Sequence, residues 1–147
     1  MGLVARLLLG NGTLTVPLRD ELAAEGLVLL EEDLKGSVRY DHFKAPGRRF
    51  NGKVTLVRVA LALSERRVVV YASSGRSKLV DSPYTSPHFG MVEIARHEDR
   101  VEFRVDYDKG SDPRFGGRVT IRVHTPEAER IVRELTARIG VAGPRSS

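Results

Sequence analysis

The 147-residue chain has no cysteine and no tryptophan, and aromatic residues make up only 6% of it. The missing thiols exclude a disulfide scaffold, a thiolate metal site and a cysteine nucleophile together. Long apolar runs are missing too. The opening segment MGLVARLLLGNG is interrupted by Arg6 and has no basic residues ahead of it, which excludes both a spanning helix and a secretory pattern and leads us to expect a cytoplasmic chain. No Gly-x-Ser-x-Gly elbow accompanies the Asp41-His42 pair, and His42, His88, His97 and His124 are dispersed rather than paired at helical spacing. Asp106, Asp108, Gly110 and Asp112 begin like a calcium loop, but Ser111 and Gly117 stand where that loop needs Gly and Glu. Nothing implies a cofactor, and a non-catalytic protein is expected.

What is present is a globular composition, 41% hydrophobic and 29% charged, with a length suited to one domain. The net charge of +5 is unevenly spread. Residues 1–36 hold three basic and six acidic groups, whereas residues 37–80 hold ten basic groups against Asp41 and Glu65 alone. Such asymmetry points to an anionic partner.

Period-two alternation dominates the rest, as expected of half-buried strands. Val101, Phe103 and Val105 alternate with Glu102, Arg104 and Asp106; Val119, Ile121 and Val123 alternate with arginines and threonine. Val57 to Leu63 and Val68 to Tyr71 flank Ser64 to Arg66 and should form a hairpin, the second strand being apolar enough for burial on both faces. Met91 to Arg96 should pair with Val101 to Asp106. Leu34-Lys35-Gly36 predicts a turn between strands Leu27 to Asp33 and Ser37 to Phe43, and Gly10-Asn11-Gly12 a hairpin joining Leu3 to Leu9 with Thr13 to Val16. Two helices are expected. Pro17 opens a short one that stops at Gly26, and Thr125-Pro126 caps an amphipathic one through Ile131, Leu135 and Ile139 that ends at Gly140.

This order of elements carries a resemblance. RFNGKVTLVRVALALSERRVVVYASSGRSKLVDSPY, then MVEIARHEDRVEFRV, then GRVTIRVHTPEAERIVREL, resemble the bacterial GRAM-like branch of the pleckstrin-homology superfold. The resemblance implies a mainly β fold over residues 26–140: an antiparallel barrel or sandwich of about seven strands, capped by a C-terminal helix. Residues 1–25 would form a hairpin and short helix packed on it and extending a sheet edge, and residues 141–147 a flexible tail. The helix Trp usual in the family and its phosphoinositide basic-x-Arg triplet are absent. Position is what the resemblance supplies: the family's ligand loops correspond to residues 44–53 and 73–78. Lys44, Arg48, Arg49, Lys53, Arg58, Arg76 and Lys78 are therefore the expected anion-binding residues. Phe50 either dips into an interface or, as is slightly favoured, packs back on the barrel while Pro46, Gly47 and Gly52 set the turns. The expected partner is an anionic lipid headgroup or an acidic protein segment. Nucleic acid ranks behind them, because few stacking aromatics accompany the charges. A small-ligand barrel with an interior pocket is the alternative from a different class.

Overall fold

A computed structural model describes residues 12–72 and 77–142. Thr15 opens helix α1 (Val16–Gly26) by accepting the Leu18 N–H at its hydroxyl, 3.4 Å away, with Pro17 in the first turn. Gly26 ends the helix at φ +93°, a left-handed conformation that other residues adopt at a cost. Eight strands follow: β1 (Leu27–Ala45), β2 (Arg48–Phe50), β3 (Lys53–Ser64), β4 (Arg67–Ala72), β5 (Ser77–Pro83), β6 (Val92–His97), β7 (Arg100–Asp106) and β8 (Gly116–His124). Helix α2 (Ala128–Ala142) closes the chain. Thr125 stands before it, accepting the Glu127 N–H at 3.0 Å and donating its hydroxyl to Glu31 at 3.1 Å.

All pairings are antiparallel. Seven strands lie in the order β5-β4-β3-β1-β8-β7-β6, curled into a half-barrel, and β2 adds to β1 alone. The hairpins β3–β4 and β6–β7 form at the expected turns. On the concave side Val59, Leu61, Val70, Phe103, Ile121 and Val123 meet Ile131 and Leu135 of α2 in one core. On the convex side Leu14 and the fully buried Leu22 of α1 cover Ala60, Ala62 and Val69 in a second core. Strands β3 and β4 are thus covered on both faces, as the apolar run Val68 to Tyr71 predicts. Burying Leu22 contributes about 2 kcal/mol. No helix among the described residues is long and apolar enough to cross a membrane.

Four local expectations are corrected. Leu34-Lys35-Gly36 is not a turn: β1 runs through it as one strand, bent by a bulge near Asp33, whose φ is +58°. Gly36 is there because β1 crosses close to β8, where an added Cβ would lie 2.8 Å from the Arg122 carbonyl oxygen. Thr13 to Val16 form no strand, since Thr15 caps α1 and Leu14 N–H bonds the Glu32 carboxylate at 2.9 Å. The proposed partner strand Leu3 to Leu9 lies outside the described residues. Helix α1 covers a sheet face rather than extending an edge, and α2 continues two residues past Gly140.

One ion network of the sheet makes its stability depend on pH. Glu102 of β7 is buried between Arg122, its cross-strand partner at 3.1 Å, and Arg104 at 2.6 Å. Burial pushes its pKa up, but the hydrogen bonds and charge of the two arginines outweigh this and hold it below its ordinary 4.5. A folded pKa below the unfolded one means stability that is present above about 4.5 and lost as pH falls through the depressed value. Glu102→Gln should therefore melt lower than the native chain at pH 7 and lose less on going to pH 3. Parallel losses in native and variant melting curves would contradict that role.

Candidate functional site

The chain reverses at Pro46–Gly47, where Gly47 has φ +73°, and β2 folds back on the end of β1. What the sequence suggests as an open loop over 44–53 is therefore mostly a two-stranded hairpin. Lys44 and Arg49 are directly opposite across the ladder, and Arg48 faces Ala45. Phe43 and Phe50, also opposite, are stacked with centroids 6.2 Å apart, and Tyr40 packs on both at 5.2 and 5.1 Å. Tyr107 continues the cluster onto Phe43 at 5.8 Å, and Phe115 stacks on Tyr107 at 5.8 Å. Phe50 thus anchors the hairpin to the half-barrel instead of projecting from it. Lys53 lies over its ring, 4.2 Å from the centroid.

Around the hairpin turn lies a shallow concavity of about 620 Å³ bounded by Lys44, Arg48, Arg49 and Arg114. Among the described residues seven arginines elsewhere are committed to carboxylates, including Arg19 to Glu32, Arg39 to Asp41, Arg67 to Glu25 and Asp81, and Arg122 to Glu102. Lys44, Arg48 and Arg49 have no carboxylate partner among the described residues. Arg114 is paired with Asp112 at 2.8 Å, and this exposed contact, with a second bond to the Arg114 N–H, lowers the Asp112 carboxyl to about 2.

The other expected residues are placed differently. Arg58 belongs to the structure rather than to the anion site, for its side chain is only 8% exposed and its guanidinium holds Asp33 at the β1 bulge, with Nη2 2.7 Å from the Asp33 carbonyl and 3.1 Å from its carboxylate. Lys78 is on β5 and lines a second cavity, not the basic concavity. Arg76 and the rest of 73–76 lie outside the described residues. Arg114 was not expected. It reaches the hairpin because β8 pairs with β1, setting Gly116 opposite Lys44, so the signal for it lies in strand order and not in any local motif. The carboxylates of the calcium-like segment serve the backbone: Asp106 accepts the Asp108 N–H and Asp108 accepts the Gly117 N–H.

The second cavity, about 710 Å³, opens between β5 and β6, the two end strands, which do not pair with each other. Val80, Phe89, Met91, Phe103, Val105 and Tyr107 are apolar or aromatic parts of its wall, with Lys78 and Lys109 also lining it. Burial, and secondarily the neighbouring Tyr40, raises the Tyr107 pKa above its ordinary value, so its phenol stays neutral. Phe89 and Phe115 sit in connections where no strand or helix pattern explains an apolar residue, and that is the signal in the sequence. No family model matches the chain, and no curated protein matches it significantly.

Proposed function

We propose that this chain is a non-catalytic module that docks the hairpin β1–β2 on an anionic membrane surface, with Lys44, Arg48, Arg49 and Arg114 receiving headgroup phosphates. The observation that carries the reading is that Lys44, Arg48 and Arg49 gather at one concavity with no carboxylate partner among the described residues. An unpaired cation retains its full charge for a ligand, whereas a paired one must first give up a carboxylate. The order of seven strands, with the first and last paired and a helix following, supports the resemblance to pleckstrin-homology-like domains.

A membrane is favoured over an acidic protein segment by exposed aliphatic residues farther along the sheet that carries the hairpin. Val54 and Leu56 at the start of β3, just beyond the hairpin, are 53% and 64% exposed. Exposed aliphatic side chains together with cations fit the boundary between headgroups and acyl chains. Binding is electrostatic in its larger part and hence sensitive to salt.

Flotation with neutral and anionic vesicles tests this. The native chain should float with phosphatidylserine-containing vesicles at low salt and much less at physiological salt. At about 1 kcal/mol per cation near such a surface, Arg48→Ala with Arg49→Ala should weaken binding roughly 30-fold. Equal flotation of the native chain with neutral vesicles, or no effect of the double substitution, would reject the assignment. Retention on an acidic peptide with no vesicle binding would transfer the site to a protein partner.

A further inference from the structure

We propose that the cleft between β5 and β6 binds an aliphatic carboxylate, its chain lying against Phe89, Met91, Phe103 and Val105 and its carboxylate meeting Lys78 and Lys109. The cleft exists because the sheet does not close. Its end strands part, and Leu79 and Val80 of β5 line the gap together with Phe103 and Val105 of β7. At about 710 Å³ it lies within the size range of small-molecule sites, and its apolar wall with a few polar groups has their usual composition.

Charge selects the ligand. Two acids also line the cleft, but both are already engaged: Asp81 accepts from Arg67 at 2.9 and 3.0 Å and from the Tyr71 hydroxyl at 2.7 Å, and Asp112 holds Arg114 at 2.8 Å. Lys78 and Lys109 have no ion-pair partner among the described residues, so the uncommitted charge at the cleft is positive. The wall selects the rest. A sugar phosphate or nucleotide would set hydroxyls against Phe89, Met91 and Phe103 with nothing to accept them. An acyl chain has no such cost and gains about 0.8 kcal/mol per buried methylene. The site is separate from the hairpin concavity and does not depend on its function.

Calorimetric titration of the full chain with laurate and with 1-dodecanol, both below their aggregation limits, tests the assignment. Laurate should bind saturably, and Lys78→Ala with Lys109→Ala should weaken it about tenfold while leaving dodecanol unchanged. Gly90→Trp should weaken both tenfold or more. Gly90 lines the cleft and a Cβ there meets nothing within 4 Å, so an indole can be added at its wall without displacing backbone. Arg48→Ala with Arg49→Ala should change neither. Absence of saturable laurate binding, or full laurate affinity in Gly90→Trp, would overturn the proposal. So would equal losses for laurate and dodecanol in the lysine variant, or a laurate loss confined to the Arg48 and Arg49 variant. If Gly90→Trp does not fold, as a melting curve would show, the lysine variant decides alone.

Discussion

Gly117→Ala should cost about 4 kcal/mol of folding stability, lowering the melting temperature by roughly 8 to 16 °C. Two effects combine at this residue. Its φ is +81°, and an added Cβ would lie 2.2 Å from the His42 carbonyl oxygen and 2.6 Å from that of Asp41. The obstruction is backbone, so no side chain can rotate away. β8 passes here against the bulge of β1, where the register slips between Asp41 and Lys44 and His42 itself has φ +50°. A Cβ would force apart the two strands that support the basic hairpin. Gly47 separates the contributions: at φ +73° with nothing within 4 Å, its alanine variant carries the conformational cost alone, about 1 kcal/mol. Urea titration of both variants checks the difference. Similar losses at the two positions would show that the β1–β8 crossing relaxes easily.

Arg67→Met should cost about 3 kcal/mol at neutral pH. The Arg67 side chain is 15% exposed and joins three elements, with Nε 3.1 Å from Glu25, Nη1 2.9 Å from Asp81 and Nη2 2.8 Å from Glu21. The Nη2 contacts are ion pairs without hydrogen-bond alignment. Burial pushes the guanidinium pKa down, but the bonds and charges of Glu25 and Asp81 outweigh it and raise the value above normal. Asp81 also accepts the Tyr71 hydroxyl, whose pKa burial and that carboxylate push up to about 12. Methionine keeps most of the volume but leaves Glu25 and Asp81, 17% and 15% exposed, without their cation. Adding Glu25→Gln and Asp81→Asn should recover part of the loss, because uncompensated charge is its main source. Glu21, on the exposed side, should matter little. Hydrogen exchange across residues 16–26 gives the local readout, since the network fastens α1 to β4 and β5. A loss below about 1 kcal/mol, or no recovery in the triple variant, would mean that water already screens these charges.

The pieces of the fold were legible wherever the signal was local. Alternation at Val101 to Asp106 and Val119 to Val123, the short link at Ser64 to Arg66, and Thr125-Pro126 before a stripe of Ile131 and Leu135 each specify an element from within a few residues. Leu34-Lys35-Gly36 misled because glycine reads the same locally whether it turns a chain or lets two backbones approach; only the Arg122 carbonyl beside it distinguishes the two. Phe50 left two readings open for the same reason, since a loop aromatic is exposed or packed according to whether Tyr40 and Phe43 lie beneath it.

For the sites, the sequence by itself determined that a basic stretch exists over residues 37–80 and that strands flank its loops. Charge and alternation are properties of the chain alone. Only the tertiary structure decided which cations are available. Arg58 is neutralised by Asp33, 25 residues away, and Arg67 by Glu25, 42 residues away, while Lys44, Arg48 and Arg49 have no such partner among the described residues. The same holds for the arrival of Arg114 beside Lys44 and for the cleft between β5 and β6. An ion pair or cavity depends on distances between residues far apart in sequence, and those distances are set only when the sheet has curled and stopped short of closing.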